Sequence, residues 1–451
     1  MGKYKMVFST TNIMVSIITL SFIIYMYYND NNIVCSILLF ILGFYLFISY
    51  KKMIGYYTNM IGIYSLVWFS TIGLATLQLH PMQVQWKFET WMCLSLAYLF
   101  FSIGYSLKKT KNKNTDNQRI LSKKDLFIYT NVILWLPIIF LVLEIILNHG
   151  MIPMFSENMS SYMNFGNTKL HFITVSCCFG LPVTYIYLHF FKTSLNEKIY
   201  LFFLNVINLG IPFLIVSRQL IIISVVMTAF MLCMLNLKRE KKFLISAAIL
   251  ILAVWMVVSL FRNQDETYLK EVLYMEEDSA LSVKNMQIYM YISMNYDNFN
   301  TNVGNIYEYT HGVYSIYPFF GLTGLKKLFS NFDYERLSSI TERIIPVYNT
   351  YPIVMTPYMD GGVAGVIIYM FIIGIICSIA DGYDIRKVNS CLINIAVKCC
   401  ITFSFFTSWF SNQTWWFYLI YLTILSAILL KKKFLPNNRE DYVKEVKEDG
   451  K

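Results

Sequence analysis

Four side chains stand where a reaction could be run. Arg218 lies in Ser217-Arg218-Gln219, between two 18-residue apolar runs. A guanidinium holds its charge at any pH and forks onto carboxylate or phosphate oxygens. The plainer reading is an arginine reaching lipid phosphate at a bilayer surface. The sharper one is a fixed cation aimed at an anionic group in an outer cavity. Arg262 and Asp360 are the two ends of one long polar stretch: Arg262 follows an apolar run directly, and Asp360 directly precedes another. Both therefore lie at one depth, whatever the chain does between them. Such a pair can neutralise itself or divide labour, with the cation on an anion and the carboxylate on a hydroxyl or an arginine. Asp360 also stands where a helix N-cap belongs. His311 is the only histidine of the stretch, and imidazole suits the orienting or deprotonation of a hydroxyl. A Tyr-Thr-His-Gly string is more often simply a turn.

The elements that position these residues follow from hydropathy. The 451 residues are 56% hydrophobic and only 14% charged, where a soluble protein averages about 25% charged. Mean hydropathy is +0.50. Apolar runs of this length read as membrane helices. Twelve can be drawn: 12–28, 33–50, 53–79, 88–107, 126–147, 170–191, 199–216, 220–237, 243–261, 361–380, 392–410 and 414–430. The expected fold is an all-α polytopic membrane protein of about twelve transmembrane helices. Its divisions are 1–261 (spans one to nine), 262–360 (a large loop), 361–430 (spans ten to twelve) and 431–451 (a charged tail).

Sidedness follows from Lys and Arg. One set of connections and both termini hold 26 of them, against Lys87, Lys169 and Arg218 in the opposite short loops. Both termini are expected to be cytoplasmic and 262–360 extracytoplasmic. The net charge of +10 thus belongs to membrane asymmetry and does not indicate a nucleic-acid partner. The 262–360 loop has 7 basic and 12 acidic residues with 13 Tyr, the composition of a recognition surface. Within it 266–294 and 322–345 pattern as helices, while Asn295–Pro318, rich in Asn, Gly and Tyr, reads as irregular. Segment 148–168 is amphipathic and is expected along the outer interface. Nine Cys are scattered without metal-ligand spacing. No metal or cofactor is implied, and Glu276-Glu277-Asp278 reads as a solvated acidic turn.

The stretch Asn349-Thr350-Tyr351, then Tyr358-Met359-Asp360-Gly361-Gly362-Val363-Ala364-Gly365, resembles the Asn-x-Tyr…Asp-Phe-Gly-x-x-Gly segment of bacterial oligosaccharide repeat-unit polymerases. These are the Wzy-type O-antigen and capsule polymerases. Gly361 replaces the usual Phe. Gly150-Met151-Ile152-Pro153-Met154-Phe155 resembles their Gly-Gly-Ile-Pro-Leu-Phe loop, and His311-Gly312 with Tyr317-Pro318-Phe319 falls at their Gly…Pro-Phe segment. Ser217-Arg218 and Arg262 match their layout.

The resemblance implies a glycosyltransferase of the cytoplasmic (inner) membrane. It would join polyprenyl-diphosphate-linked oligosaccharides at the outer face, with membrane lipids, a flippase and a chain-length regulator as partners. Arg218, Asn349 and Tyr351 would bind substrate, with Arg262, Asp360 and His311 catalytic.

Three other readings compete. An O-antigen ligase shares the layout. A transporter or glycolipid flippase would want several mid-span charges, where Glu144 and Lys398 are the clearest here. A cell-surface acyltransferase would want a membrane-embedded His or a His/Asp pair, and neither His171 nor His189 has a partner by spacing.

Overall fold

The computed structural model describes residues 10–107, 119–120, 123–156, 165, 170–261, 266–276, 279, 281–306, 308–317, 341–381, 407, 421, 425 and 433–434. Apart from a two-residue antiparallel pairing of 119–120 with 433–434, the elements are helical. Six helices are long and apolar enough to cross a membrane: α1 (Thr10–Tyr27), α2 (Asn32–Ile54), α5 (Lys123–Leu147), α6 (His171–Phe190), α7 (Leu195–Leu214) and α12 (Met355–Asp381). Between them come α3 (Met60–Ala75), α4 (Phe88–Ser106), α8 (Arg218–Leu235) and α9 (Glu240–Phe261), then α10 (Glu266–Val272) and α11 (Val283–Asn302). Large apolar side chains such as Ile18, Phe22, Phe44, Ile146 and Phe202 remain exposed, as on helices whose solvent is lipid. The expected spans 392–410 and 414–430, Arg262, and 322–340 lie outside the described residues apart from isolated positions in the last two spans.

The run 53–79 is not one helix. Gly55, at φ 103°, closes α2 by donating its N–H to Lys51 O at 2.8 Å. Asn59 then starts α3 by accepting from Gly62 N at 2.7 Å. A left-handed glycine and an N-cap asparagine break the helix where hydropathy alone runs on.

The chain divides into two compact units, one from 1–110, 232–383 and 397–420, the other from 111–231, 384–396 and 421–451. In the first, α4 and α12 run parallel. Their backbones close at two glycines: a Cβ on Gly104 would meet the Phe371 carbonyl, and one on Gly374 the Phe101 carbonyl. Small residues at such crossings are how helices pack where no hydrophobic force separates protein from lipid. At one end of this unit two carboxylates hold the start of α3. Glu240 accepts from Tyr57 N (2.8 Å), Thr58 N (2.6 Å) and Thr58 Oγ1 (2.7 Å). Asp381 accepts from Met60 N (2.8 Å) and Tyr105 Oη (2.7 Å).

The polar stretch after α9 belongs to this same unit. Its helix α11 runs on through Asn295 to Asn302, where the sequence reads as irregular. Residues 341–350 are not helical, so the expected helix 322–345 does not extend through its last residues. α12 starts at Met355, before the expected span, and is broken at Gly361 and Gly362.

In the second unit α5 and α7 run parallel. Lys123 pairs with Glu197 at 3.2 Å, Tyr200 Oη donates to Asn131 Oδ1 at 2.6 Å, and Asn208 Nδ2 donates to Leu134 O at 3.0 Å. The last residues of both helices therefore share one end. α6 runs against them, with Asn205 Nδ2 donating to Thr184 Oγ1 at 2.9 Å. In segment 148–156 the backbone turns at Gly150 (φ 82°) and makes a 3₁₀ turn over Pro153–Phe155, with Phe155 exposed.

Candidate functional site

Helix α11 is the beam on which the polar end of the first unit is built. Asn295, Asn298 and Asn302 fall three and four apart, hence on one face. All three grip the strap that runs from 342 to 350. Asn298 Nδ2 donates to Tyr348 O (2.7 Å) and its Oδ1 accepts from Ile344 N (3.0 Å). Asn302 does the same with Glu342 O (2.8 Å) and Glu342 N (3.0 Å). Asn295 Oδ1 accepts from Thr350 Oγ1. A primary amide donates and accepts at once, so it can replace a strand partner for an extended backbone.

The other face of α11 meets the connection before α4. Asp297 is fully buried. Its oxygens accept from Trp86 Nε1 (2.7 Å) and Gln83 Nε2 (2.6 Å). Gln83 Oε1 is itself held by Tyr289 Oη (2.8 Å) and His80 N (3.1 Å). Burial pushes the Asp297 carboxyl up to about 7, against the two hydrogen bonds, which pull it down. Burial also lowers His80, whose Nδ1 accepts from Met82 N (3.2 Å), so that Nε2 donates to Leu273 O (2.8 Å). Asn300 Oδ1 accepts from Lys87 N and Thr90 Oγ1 at the start of α4. In the same first turn, Glu89 accepts from Tyr358 Oη at 2.8 Å, which itself accepts from Gly304 N at 2.9 Å.

Asp360 is only 7% exposed and is a clasp. Oδ1 accepts from Thr310 Oγ1 and from Tyr314 N (2.9 Å), and Oδ2 from Ser315 N (3.0 Å). It caps a helical turn over 313–317, not the helix that follows it in sequence. Two backbone bonds double the join, Thr310 N to Met359 O (3.1 Å) and His311 N to Asp360 O (2.9 Å). The kink just beyond is set by Gly362, at φ 57°, where a Cβ would meet the Tyr309 hydroxyl. Gly361, at φ −168°, is extended backbone open to any residue, so its conformation does not require glycine.

The structure thus brings Asp360 and His311 together through the backbone. His311 is exposed, in a left-handed turn (φ 51°) beside Gly312. Asn349 is exposed on the strap, and Tyr351, half-buried, donates from Oη to Glu342 O at 3.2 Å. Arg262 lies outside the described residues. Arg218, whose backbone alone is described, is the first residue of α8 and belongs to the second unit. It follows a three-residue connection in which Val216 takes φ 55°.

Sequence reasoning passed over the buried group Asp297, Trp86 and Gln83, because each looks ordinary alone. It also left His171 unpaired. The structure places His171 Nδ1 3.3 Å from Glu144 Oε1, across 27 residues of chain. Among the described residues no group of three His, Cys, Asp or Glu side chains could hold a metal ion. Compared with family models, with curated proteins and with solved structures, the chain matches none of them.

Proposed function

We propose that this chain polymerises polyprenyl-diphosphate-linked oligosaccharide repeat units into surface polysaccharide at the outer face of the cytoplasmic membrane, through twelve spans with both termini inside. One observation supports the reading more than any other. Strings 311–319 and 349–365, which carry the resemblance to repeat-unit polymerases, meet at Asp360. The clasp fixes the turn bearing the exposed His311, while Asn295, Asn298 and Asn302 of the same helical unit hold the strap that carries Asn349 and leads into Tyr351. A lipid diphosphate leaving group calls for cations at the membrane edge, and Arg218 and Arg262 are the residues assigned to it.

The test is made in cells. Deleting the chain removes polymer and leaves single repeat units. Arg218→Ala and Arg262→Ala, at normal protein level, do the same, and Lys rescues poorly because the fork is lost. Normal polymer length in the deletion strain overturns the reading. Long chains that accumulate on the lipid without transfer to a lipid A core identify a ligase instead. A second reading, a cell-surface acyltransferase, draws on the His171–Glu144 pair. It predicts full-length polysaccharide that lacks ester-linked acyl groups in the deletion strain.

A further inference from the structure

Glu144 lies in the last turn of α5, a helix apolar and long enough to cross a membrane, and is completely buried. A carboxylate in that position is retained only with strong partners. His171, at the start of α6, is one, with Nδ1 3.3 Å from Oε1 and 3.4 Å from Oε2. An ionised carboxylate only accepts, so Nδ1 carries the hydrogen, and in the neutral imidazole the lone pair is then on Nε2. Nε2 has no protein partner among the described residues, and the side chain is 27% exposed. The Phe165 ring stands edge-on to the imidazole, 6.2 Å between centroids at 86°. A carboxylate behind an imidazole with a free, accessible Nε2 is the arrangement that makes histidine a general base.

Its place in the fold agrees with that use. α5 and α7 run parallel, so Leu147 and Leu214 share an end, and Arg218 begins α8 four residues after Leu214. The turn Pro153–Phe155 packs on α7. One end of the second unit therefore holds a buried carboxylate, an accessible imidazole and the backbone of a helix-initial arginine.

We infer that His171, oriented by Glu144, is the base that activates the acceptor sugar hydroxyl; this rests on the polymerase reading above. Nε2 takes the hydroxyl proton as the oxygen bonds to the donor's anomeric carbon. The bond from that carbon to the diphosphate oxygen breaks, and its electron pair leaves on the diphosphate. The imidazolium stands against Glu144 and returns its proton to water before the next unit binds. His171 is the catalytic residue and Glu144 a positioning residue.

The experiment uses the full chain in nanodiscs, with lipid extract from the deletion strain as substrate and polymer length as readout. His171→Ala is expected to lower the rate by about 10²–10⁴-fold at unchanged protein level, with several-fold recovery on adding imidazole. Glu144→Gln is expected to lower kcat while KM holds. The assignment is overturned if His171→Ala polymerises normally. It is also overturned if His171→Gln restores the rate, since a hydrogen bond then suffices, or if the variant loses only acyl groups. Polymer made by the deletion strain overturns the polymerase reading itself, an outcome distinct from any of these.

Discussion

Asp360→Asn is the most informative single change. An N-cap aspartate exchanges for asparagine at little expense, because one oxygen does the capping. Here both oxygens are engaged: Oδ1 by Thr310 Oγ1 and Tyr314 N, Oδ2 by Ser315 N. Asparagine has one acceptor oxygen. If it takes the Oδ1 place, its NH₂ faces the Ser315 N–H, donor against donor. If it takes the Oδ2 place, the Tyr314 N–H keeps only its longer contact to Thr310 Oγ1 at 3.3 Å. Either way one charge-assisted bond is lost, about 1.5–3 kcal/mol. That raises opening of the turn by about 10- to 100-fold, since 1.4 kcal/mol is about tenfold. Asp360→Ala removes all three bonds, leaving Tyr314 N its longer contact to Thr310 Oγ1 (3.3 Å) and Thr310 Oγ1 its contact to Met359 O (3.5 Å), and costs more than Asn. Thr310→Val removes one donor and keeps the cap, so it falls below both. Hydrogen exchange followed by mass spectrometry on peptides covering 308–317 reads the opening directly. Unchanged exchange at Tyr314 and Ser315 in both Asp360 variants would refute the clasp. Fast exchange with polymer of normal length would show that the turn bearing His311 is not part of the site.

Three further outcomes follow from buried contacts. Gly104→Val or Gly374→Val drives a side chain into the Phe371 or Phe101 carbonyl, with an expected loss of about 3 kcal/mol or more; thermal unfolding in detergent checks it, and Gly210→Ala, with open space at its Cβ, is the control. Because burial raises Asp297 from 3.8 to about 7, the folded state favours its protonated form. Its contribution is complete below pH about 3.8 and is lost as pH rises to about 7, at most about 4 kcal/mol. Asp297→Asn flattens that slope in melts taken from pH 4 to 8, whatever its effect on absolute stability. Glu240→Gln leaves one of Tyr57 N or Thr58 N without an acceptor, costing about 1–3 kcal/mol, seen as a lower melting temperature with no change in helix content.

The sequence by itself determined the helical class and the long apolar helices, because hydropathy is a local sum and lipid rewards it locally. Even the break inside 53–79 was written locally, in Gly55 and Asn59. Tertiary structure alone decided the rest. Asn295, Asn298 and Asn302 read as loop residues because each competes with its own backbone. They remain helical because the strap 342–350 supplies the partners those amides seek. Asp360 reads as a cap for the helix it precedes, yet its carboxylate serves a turn some 45 residues earlier. Glu144 and His171 are 27 apart on two helices, a spacing no periodicity relates. Polar groups buried away from water must find partners wherever the fold brings them, and separation along the chain carries no record of where that is.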